Sequence, residues 1–252
     1  MPTESQPDIQ AVSRVAQIVA LFGLETPEIT VSDATERLGL NRTTVHRYLS
    51  SMAAAGLLTH GSRPAAYAPG GLMLQLGAFA IGQRRIIQIA PAFLRELSQQ
   101  VGVTAVLSLW AQSGPVVSMV EEDPAHNAIV TVRVGSQLSL DTSQAIAFLA
   151  HLPDQLQADR LLGSLPKPQR DDLNERIAET RRTGVSIYVA NPRGISVISA
   201  PVFDESGICA TVAAVGTDRM LPSSAADSTA AVAVKEIAVA LTAEMAGLWP
   251  EP

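Results

Sequence analysis

The segment 31–70, VSDATERLGLNRTTVHRYLSSMAAAGLLTHGSRPAAYAPG, restricts the fold more than any other part of the chain. It places two helix signals and a hairpin signal in immediate succession. Thr30 stands where it can cap a helix starting at Val31, and Asp33 three residues later completes a capping box. Ala34 and Leu38 face inward, and Gly39 stops the helix. Asn41 caps a following helix over 42–55. Val45, Tyr48, Leu49, Met52 and Ala53 share one face of it; Arg42, Thr43, His46, Arg47 and Ser50 share the other. Residues 57–60 and 65–68 then read as short strands around a Gly-Ser-Arg-Pro turn. Upstream, Val12, Val15, Ile18, Val19 and Phe22 form a helical stripe over 9–24, closed by Gly23 and Pro27. Helix, helix-turn-helix and hairpin make a winged helix-turn-helix. In that module the second helix of the motif enters the major groove and the hairpin touches flanking backbone.

The charge distribution points the same way. Between Arg37 and Arg95 there is no Asp or Glu, while Arg37, Arg42, Arg47, Arg63, Arg84, Arg85 and Arg95 are all basic. Against a formal net charge of −6, the rest of the chain therefore carries −13. A basic island in an acidic chain reads as a local polyanion contact. A small helical bundle used only for protein contact is the alternative, but solvated helix faces normally mix signs at i,i+4. The DNA-contact set read from this pattern is Arg42, Thr43, Thr44, His46, Arg47, Ser50 and Arg63. An arginine fork suits guanine O6/N7 or a phosphate. The threonines suit phosphate oxygens or a thymine methyl, and the helix N-terminal amides favour an anion. Arg63, at the hairpin tip, is placed for a phosphate or the minor groove. His46 could equally cap against the preceding helix, and Tyr48 reads as core. One such module neutralises few phosphates, so two-fold pairing is expected.

Hydrophobic residues make up 47% of the 252-residue chain, enough for a substantial core. No apolar run approaches the ~20 residues a membrane helix needs. Residues 1–8 are polar, lack a basic n-region and read as a disordered tail rather than a signal peptide. The sole cysteine, Cys209, excludes an internal disulfide and a cysteine-rich zinc site, and the four histidines are scattered. A soluble, cytoplasmic protein without metal or cofactor is expected.

Past the hairpin, a linker helix is expected over 71–83 and a second helix to residue 100. Strand patterns follow at 103–111, 115–122 and 127–134, then helices at 142–151, 153–162 and 169–183. Three more strands, 185–190, 194–203 and 208–216, precede a long Ala/Val helix over 224–248. Strands and helices in blocks indicate an α+β chain with an antiparallel-rich sheet. The expected domains are thus 9–70 for DNA binding, 71–83 as linker and 84–252 as a second domain.

RLGLNRTTVHRYLSSMAAAGLL resembles the recognition motif of IclR-type bacterial transcription regulators. DTSQAIAFLAHLP is similar to that family's central-helix motif. RRTGVSIYVANPRGISVISAPVFDESGICATVAAVGTDR is similar to its C-terminal signature, including APVFD. The resemblance covers nearly the whole chain from Val12. It implies a GAF-like α/β effector-binding domain joined by a helix to the DNA-binding domain. It further implies dimers or dimers of dimers on palindromic operators, and a small-molecule effector. The family's carboxylate binders use amides at the central-helix start, here Thr142, Ser143 and Gln144. The usual Gly-Lys that follows is Ala145-Ile146 here. An Asp position falls at Ile187 or Tyr188, a Cys position at Val197, and two serine positions at Ala213 and Val215. Burying a carboxylate against aliphatic walls is costly. An apolar or aromatic effector is therefore expected, with Tyr188 as polar handle and Trp110 and Met119 also lining the pocket. The alternatives are a pocket filled by side chains with no effector, or an interaction module with a degenerate helix-turn-helix.

An enzyme is the rival class. Cys209 lies in an alternating apolar strand, where an inert thiol is usual. Glu121, Glu122 and Asp123 cluster at a turn and read as a solvated loop. GSRPAAYAPGG lacks the lysine and following helix of a phosphate-binding loop. A DNA-binding regulator is expected, more in keeping with a repressor than an activator.

Overall fold

The computed structural model describes residues 9–122, 130, 132–190, 194–221 and 228–250. The chain divides between Gln83 and Arg84 into two units.

In the first unit the order is α1 (Gln10–Val19), β1 (Ile29–Thr30), α2 (Val31–Leu38), α3 (Arg42–Ala54), β2 (Leu58–His60), β3 (Ala66–Pro69) and α4 (Gly71–Gly82). The local signals act as their chemistry demands. Thr30 Oγ1 accepts from the Asp33 amide at 3.2 Å, and Asp33 Oδ2 accepts from the Thr30 amide at 2.8 Å. Gly39 takes the left-handed conformation that ends α2, with φ 63°. Asn41 Oδ1 accepts from the Thr43 amide at 2.8 Å, opening α3. Ile18, Ile29, Ala34, Val45, Leu49, Met52, Leu58 and Tyr67 form the core of this unit.

Two features depart from the sequence expectation. Helix α1 stops at Val19, short of residue 24. Leu21 and Phe22 still pack on the core, from turns that close in a Gly23–Thr26 bridge. Their helical spacing thus records core contact rather than helix. Strand β1 was not legible at all; two residues long, it pairs with β3 and makes a three-stranded sheet of order β1-β3-β2.

The second unit contains α5 (Arg85–Val101), β4 (Thr104–Trp110), β5 (Pro115–Glu121), α6 (Ser143–His151), α7 (Gln155–Gly163) and α8 (Lys167–Thr183). It continues with β6 (Ser186–Ala190), β7 (Ile195–Asp204), β8 (Gly207–Thr217) and α9 (Thr229–Glu244). The five strands form one antiparallel sheet of order β5-β4-β8-β7-β6. On one face Ala105, Leu107, Ile198, Ala200, Val202, Val212 and Ala214 pack under α5 and α9. On the other, α6 lies across β6, β7 and β8, and α8 packs on α6.

The strand expected over 127–134 does not form in its described part: Val132–Val134 are irregular. Residues 127–129 and 131 lie outside the described residues. A bridge between Val116 and Gln137 holds the sheet edge there instead. Helix α9 is shorter than its 224–248 pattern. Residues 224–227 lie outside the described residues. At the other end Ala246 turns to φ 57° and bridges Asp204, which carries Trp249 back onto Phe203.

Gly70 permits the passage from the hairpin into α4. A Cβ there would lie 2.4 Å from the Gly56 carbonyl oxygen, a backbone atom that no rotamer can move. Gly70→Ala is expected to destabilise the first unit by about 1–3 kcal/mol, the usual cost of overpacking. Proteolysis followed by mass spectrometry should show earlier cleavage in residues 9–83 with the second unit unchanged.

Candidate nucleic-acid interface and effector pocket

Capping orients α3. With Val45, Leu49 and Met52 fully buried, the helix has one rotational setting, and Arg42, Thr43, His46 and Arg47 are exposed together on its other side. Thr44 is half-buried at the margin of that face. Arg42 Nη1 donates to Ser32 Oγ in the first turn of α2 at 3.1 Å, so a single edge carries the starts of both helices. Ser50 lies apart from this set: half-buried, its hydroxyl is 3.4 Å from the Tyr67 hydroxyl of β3.

Arg63 is engaged within the protein. Its Nη2 donates to the Glu28 carbonyl at 2.8 Å and its Nε to Glu28 Oε2 at 3.3 Å. Glu28 Oε1 also accepts from the Ser62 amide at 2.6 Å. The β1–β3 pairing brings this acid to the hairpin from outside the acid-free stretch, which linear spacing could not show. Hydrogen bonds from Ser62, and after them from Arg63, hold the Glu28 carboxyl down at about 2. The side chain braces the wing against the strand before α2.

In the second unit the expected effector residues separate into two groups. Ala213 and Val215 join Val106 and Val117 in a buried aliphatic cluster, against which Val197, Val130, Val132 and Leu138 pack. Trp110 stacks at 5.3 Å on Phe148 of α6. Tyr188 lies under the Arg176 guanidinium, 5.6 Å from the ring centre. Ser143 and Gln144 are buried in the first turn of α6. Met119 does not join them; it packs with the α5/α9 side of the sheet. A β-bulge between Leu107 and Ser108 shifts the β4–β5 register, so Val117 rather than Met119 faces α6.

Polar groups that spacing did not reveal gather on the same face. Ser108 pairs in register with Thr211, and Thr211 Oγ1 donates to Gln144 Oε1 at 3.2 Å. Ser199 pairs with Ala213. The hydroxyls of Ser108, Ser143 and Ser199 and the Trp110 Nε1 are buried without a hydrogen-bond partner. Arg176 comes in from α8 and donates to the Asp141 carbonyl at 2.9 Å, just before α6 begins. Thr142 caps the Ala145 amide at 3.4 Å, which leaves the Ser143 and Gln144 amides at the positive end of α6. The face is therefore not uniformly apolar: Ser199 stands directly opposite Ala213 on β7, and Ser108 stands opposite Thr211 on β4.

Little here suits covalent or metal chemistry. Burial, and then the charge of Asp204, pushes the Cys209 thiol up to about 12, so it carries almost no thiolate at neutral pH. Among the described residues no group of three or more His, Cys, Asp or Glu could hold a metal ion. None of the described helices is long and apolar enough to cross a membrane.

A winged helix-turn-helix followed by an antiparallel α/β unit defines a class of DNA-binding regulator, and comparison with known proteins gives its family. Residues 11–61 match the IclR helix-turn-helix domain, and residues 78–242 match the C-terminal domain of bacterial transcriptional regulator IclR. The chain belongs to the IclR family of bacterial transcriptional regulators. It is 28% identical over 217 residues to the HTH-type transcriptional regulator XynR of Escherichia coli K12, covering 82% of this chain and 85% of that one. An IclR-type regulator from Silicibacter sp. TM1040 superposes with a TM-score of 0.83 at 24% identity, covering 95% of this chain and 98% of the other. An IclR homologue from Microbacterium hydrocarbonoxydans, crystallised with 4-hydroxybenzoate, gives 0.70 at 20% identity, over 93% and 98% of the two chains.

The depressed Glu28 carboxyl gives a signed prediction. A carboxylate held below its ordinary 4.5 contributes stability above that value and loses it as pH falls toward about 2. The Ser62 amide resonance should therefore titrate near pH 2 rather than near 4.5. In Glu28→Gln that transition should vanish.

Proposed function

We propose that this regulator contacts its operator through Arg42, Thr43, Thr44, His46 and Arg47, with Ser50 and Arg63 shaping the wing beside them. The first four exposed side chains of that face carry two guanidiniums and no acid, which suits phosphate and guanine recognition. Arg47→Ala should weaken operator binding by about 1–3 kcal/mol. Arg63→Ala should cost less directly and act through wing position, so Glu28→Ala should reproduce it. Electrophoretic shifts at fixed salt separate the two patterns; equal loss in Arg47→Ala and Arg63→Ala would remove the distinction.

The working unit is a homo-oligomer. Helix α4 carries no charged residue and buries none of its side chains within the chain, and Leu74, Leu76 and Phe79 are more than half exposed. Such a surface seeks a partner, and a second copy also supplies the phosphate contacts that one module lacks. Phe79→Glu should lower the mass seen by light scattering and weaken operator binding together.

The effector is an aromatic acid or phenol bound at the start of α6. The observation carrying this reading is the set of buried, unpartnered groups: Ser108, Ser143 and Ser199 hydroxyls and the Trp110 indole N–H. Each such group costs about 1–3 kcal/mol unless something bonds to it. Flat aromatic surface matches the aliphatic cluster and Trp110, while a hydroxyl or carboxylate meets the serines, the α6 amides and Arg176. The 4-hydroxybenzoate of the Microbacterium homologue has this chemistry. A transcriptional repressor, IclR of Escherichia coli K12, stands among the relatives at 23% identity, and we read effector binding as releasing DNA in the same sense.

A second reading also has support. Val130, Val132 and Leu138 already pack over the apolar cluster, as a side-chain-filled pocket would require. Thermal shifts with aromatic acids, terpenoids and short keto acids decide between them. A ligand at ~100 times its Kd should add about 2.7 kcal/mol, a rise of several degrees. Stabilisation by keto acids alone refutes the aromatic reading; none at all favours the filled pocket.

A further inference from the structure

Helix α6 has two ends, and only its start belongs to the effector pocket. At its last residue, His151, the second unit carries a separate cavity of about 310 Å³. Its wall includes His151, Arg181, Arg182, Lys235, Val239 and Trp249, and no Asp or Glu. We propose that this cavity is a second ligand site, for a small organic anion. Its carboxylate or phosphoryl head meets Arg181 and Lys235, and its apolar flank lies against Trp249.

The cations are held in position before any ligand arrives. Arg181 Nε donates to the Ala150 carbonyl at 2.7 Å, near the end of α6. Lys235 Nζ donates to the Thr183 carbonyl at 2.8 Å, at the end of α8. Each uses one donor this way, and among the described residues neither pairs with a carboxylate. Arg182 differs: it is paired with Glu179 on the rim. Both fixed cations therefore keep free donors, and their rotamer entropy is already lost, which lowers the cost of binding.

Helix capping accounts for Arg181 and Lys235 by itself. It does not account for the cavity between them, nor for the imidazole. His151 Nε2 is buried and has no hydrogen-bond partner. Burial first, and then the charge of Arg181, hold this imidazole down at about 4. It is thus neutral at neutral pH, able to serve as a hydrogen-bonding group without adding charge.

The far wall is aromatic and its position is set by the fold. His151 packs edge-on against Phe203 at 5.1 Å, and Phe203 packs edge-on against Trp249 at 5.6 Å. Gly184, at φ 79°, lies between Lys235 and Trp249: a Cβ there would sit 3.1 Å from Lys235 Cε and 3.2 Å from Trp249 Cζ2. A side chain at that point would crowd both walls. A cavity of this volume accepts one ring with an oxyanion head.

The chain has two tryptophans, Trp110 at the effector pocket and Trp249 here, so each site has its own reporter. Protein labelled with 5-fluorotryptophan gives two fluorine resonances, assigned with Trp110→Phe and Trp249→Phe. Phenyl phosphate, benzoate and inorganic phosphate are then titrated separately. A saturable shift of the Trp249 resonance with phenyl phosphate or benzoate is expected, weaker with inorganic phosphate, which lacks the apolar flank. Lys235→Met and Arg181→Gln should each weaken it by at least about ten-fold, as loss of a charge-assisted bond does, while a Trp110 resonance at its unsubstituted position before any probe is added reports an intact fold. A Trp249 resonance unmoved by all three probes overturns the proposal. So does a shift of equal affinity in Lys235→Met, or a response confined to Trp110. Because the two resonances answer separately, failure here leaves the effector reading standing, and the reverse also holds.

Discussion

Strand β8 is covered on both faces, and most of the second unit follows from that. It lies between β4 and β7, with α5 and α9 on one side and α6 on the other. Every residue from Ala210 to Gly216 is buried. Two helix layers approach this closely only because the strand is small-featured: Ala210, Ala213 and Ala214 alternate with Thr211, Val212 and Val215. Gly216 is tighter still, since a Cβ there would meet Val103 at 2.8 Å. Double cover also removes water from any hydroxyl in the layer. Thr211 solves this by bonding Gln144. Ser108 and Ser199, on the flanking strands, have no such partner among the described residues. The unpartnered polar groups of this face are thus a by-product of how tightly the sheet is sandwiched.

The DNA-binding unit is organised differently, by local bonds rather than layers. A capping box, a left-handed glycine and an asparagine cap define α2 and α3 within a few residues of sequence. Only the wing depends on a distant partner, Glu28. By taking up Arg63, that one carboxylate concentrates the free positive charge of the module on α3. In the proposed operator contact, electrostatic recognition then falls to Arg42 and Arg47 on a capped helix, where geometry can discriminate bases, rather than to a hairpin tip that only senses charge.

This contrast explains what could be read from the sequence. The helix-turn-helix was legible to within a residue, because capping and periodicity are local properties. An antiparallel-rich sheet, too, could be expected from strands and helices falling in blocks, though its strand order could not. What escaped depended on register. Met119 was assigned to the wrong face because a bulge at Leu107/Ser108 breaks the two-residue period in a way no spacing rule detects. Strand β1 escaped because two residues carry no period. Glu28 escaped because its partner is more than thirty residues away in sequence. The serines of the pocket were overlooked for the same reason. Resemblance directed attention to Ala213 and Val215, whereas the hydroxyls stand on neighbouring strands at Ser108 and Ser199.

The two ends of helix α6 differ in how their backbone groups are met. Eight of its nine residues are buried. At its C-terminal end Arg181 supplies a donor to the Ala150 carbonyl, so the negative end of the dipole is met by a fixed cation. At its N-terminal end only Thr142 responds, and it reaches Ala145, not the first two amides. Ala145 and Ile146 are fully buried behind those amides and offer them no acceptor. The helix is therefore balanced at one end and short of negative charge at the other. In the proposed effector site, an anionic or hydroxylated guest at Ser143 meets that asymmetry, which an aliphatic one cannot.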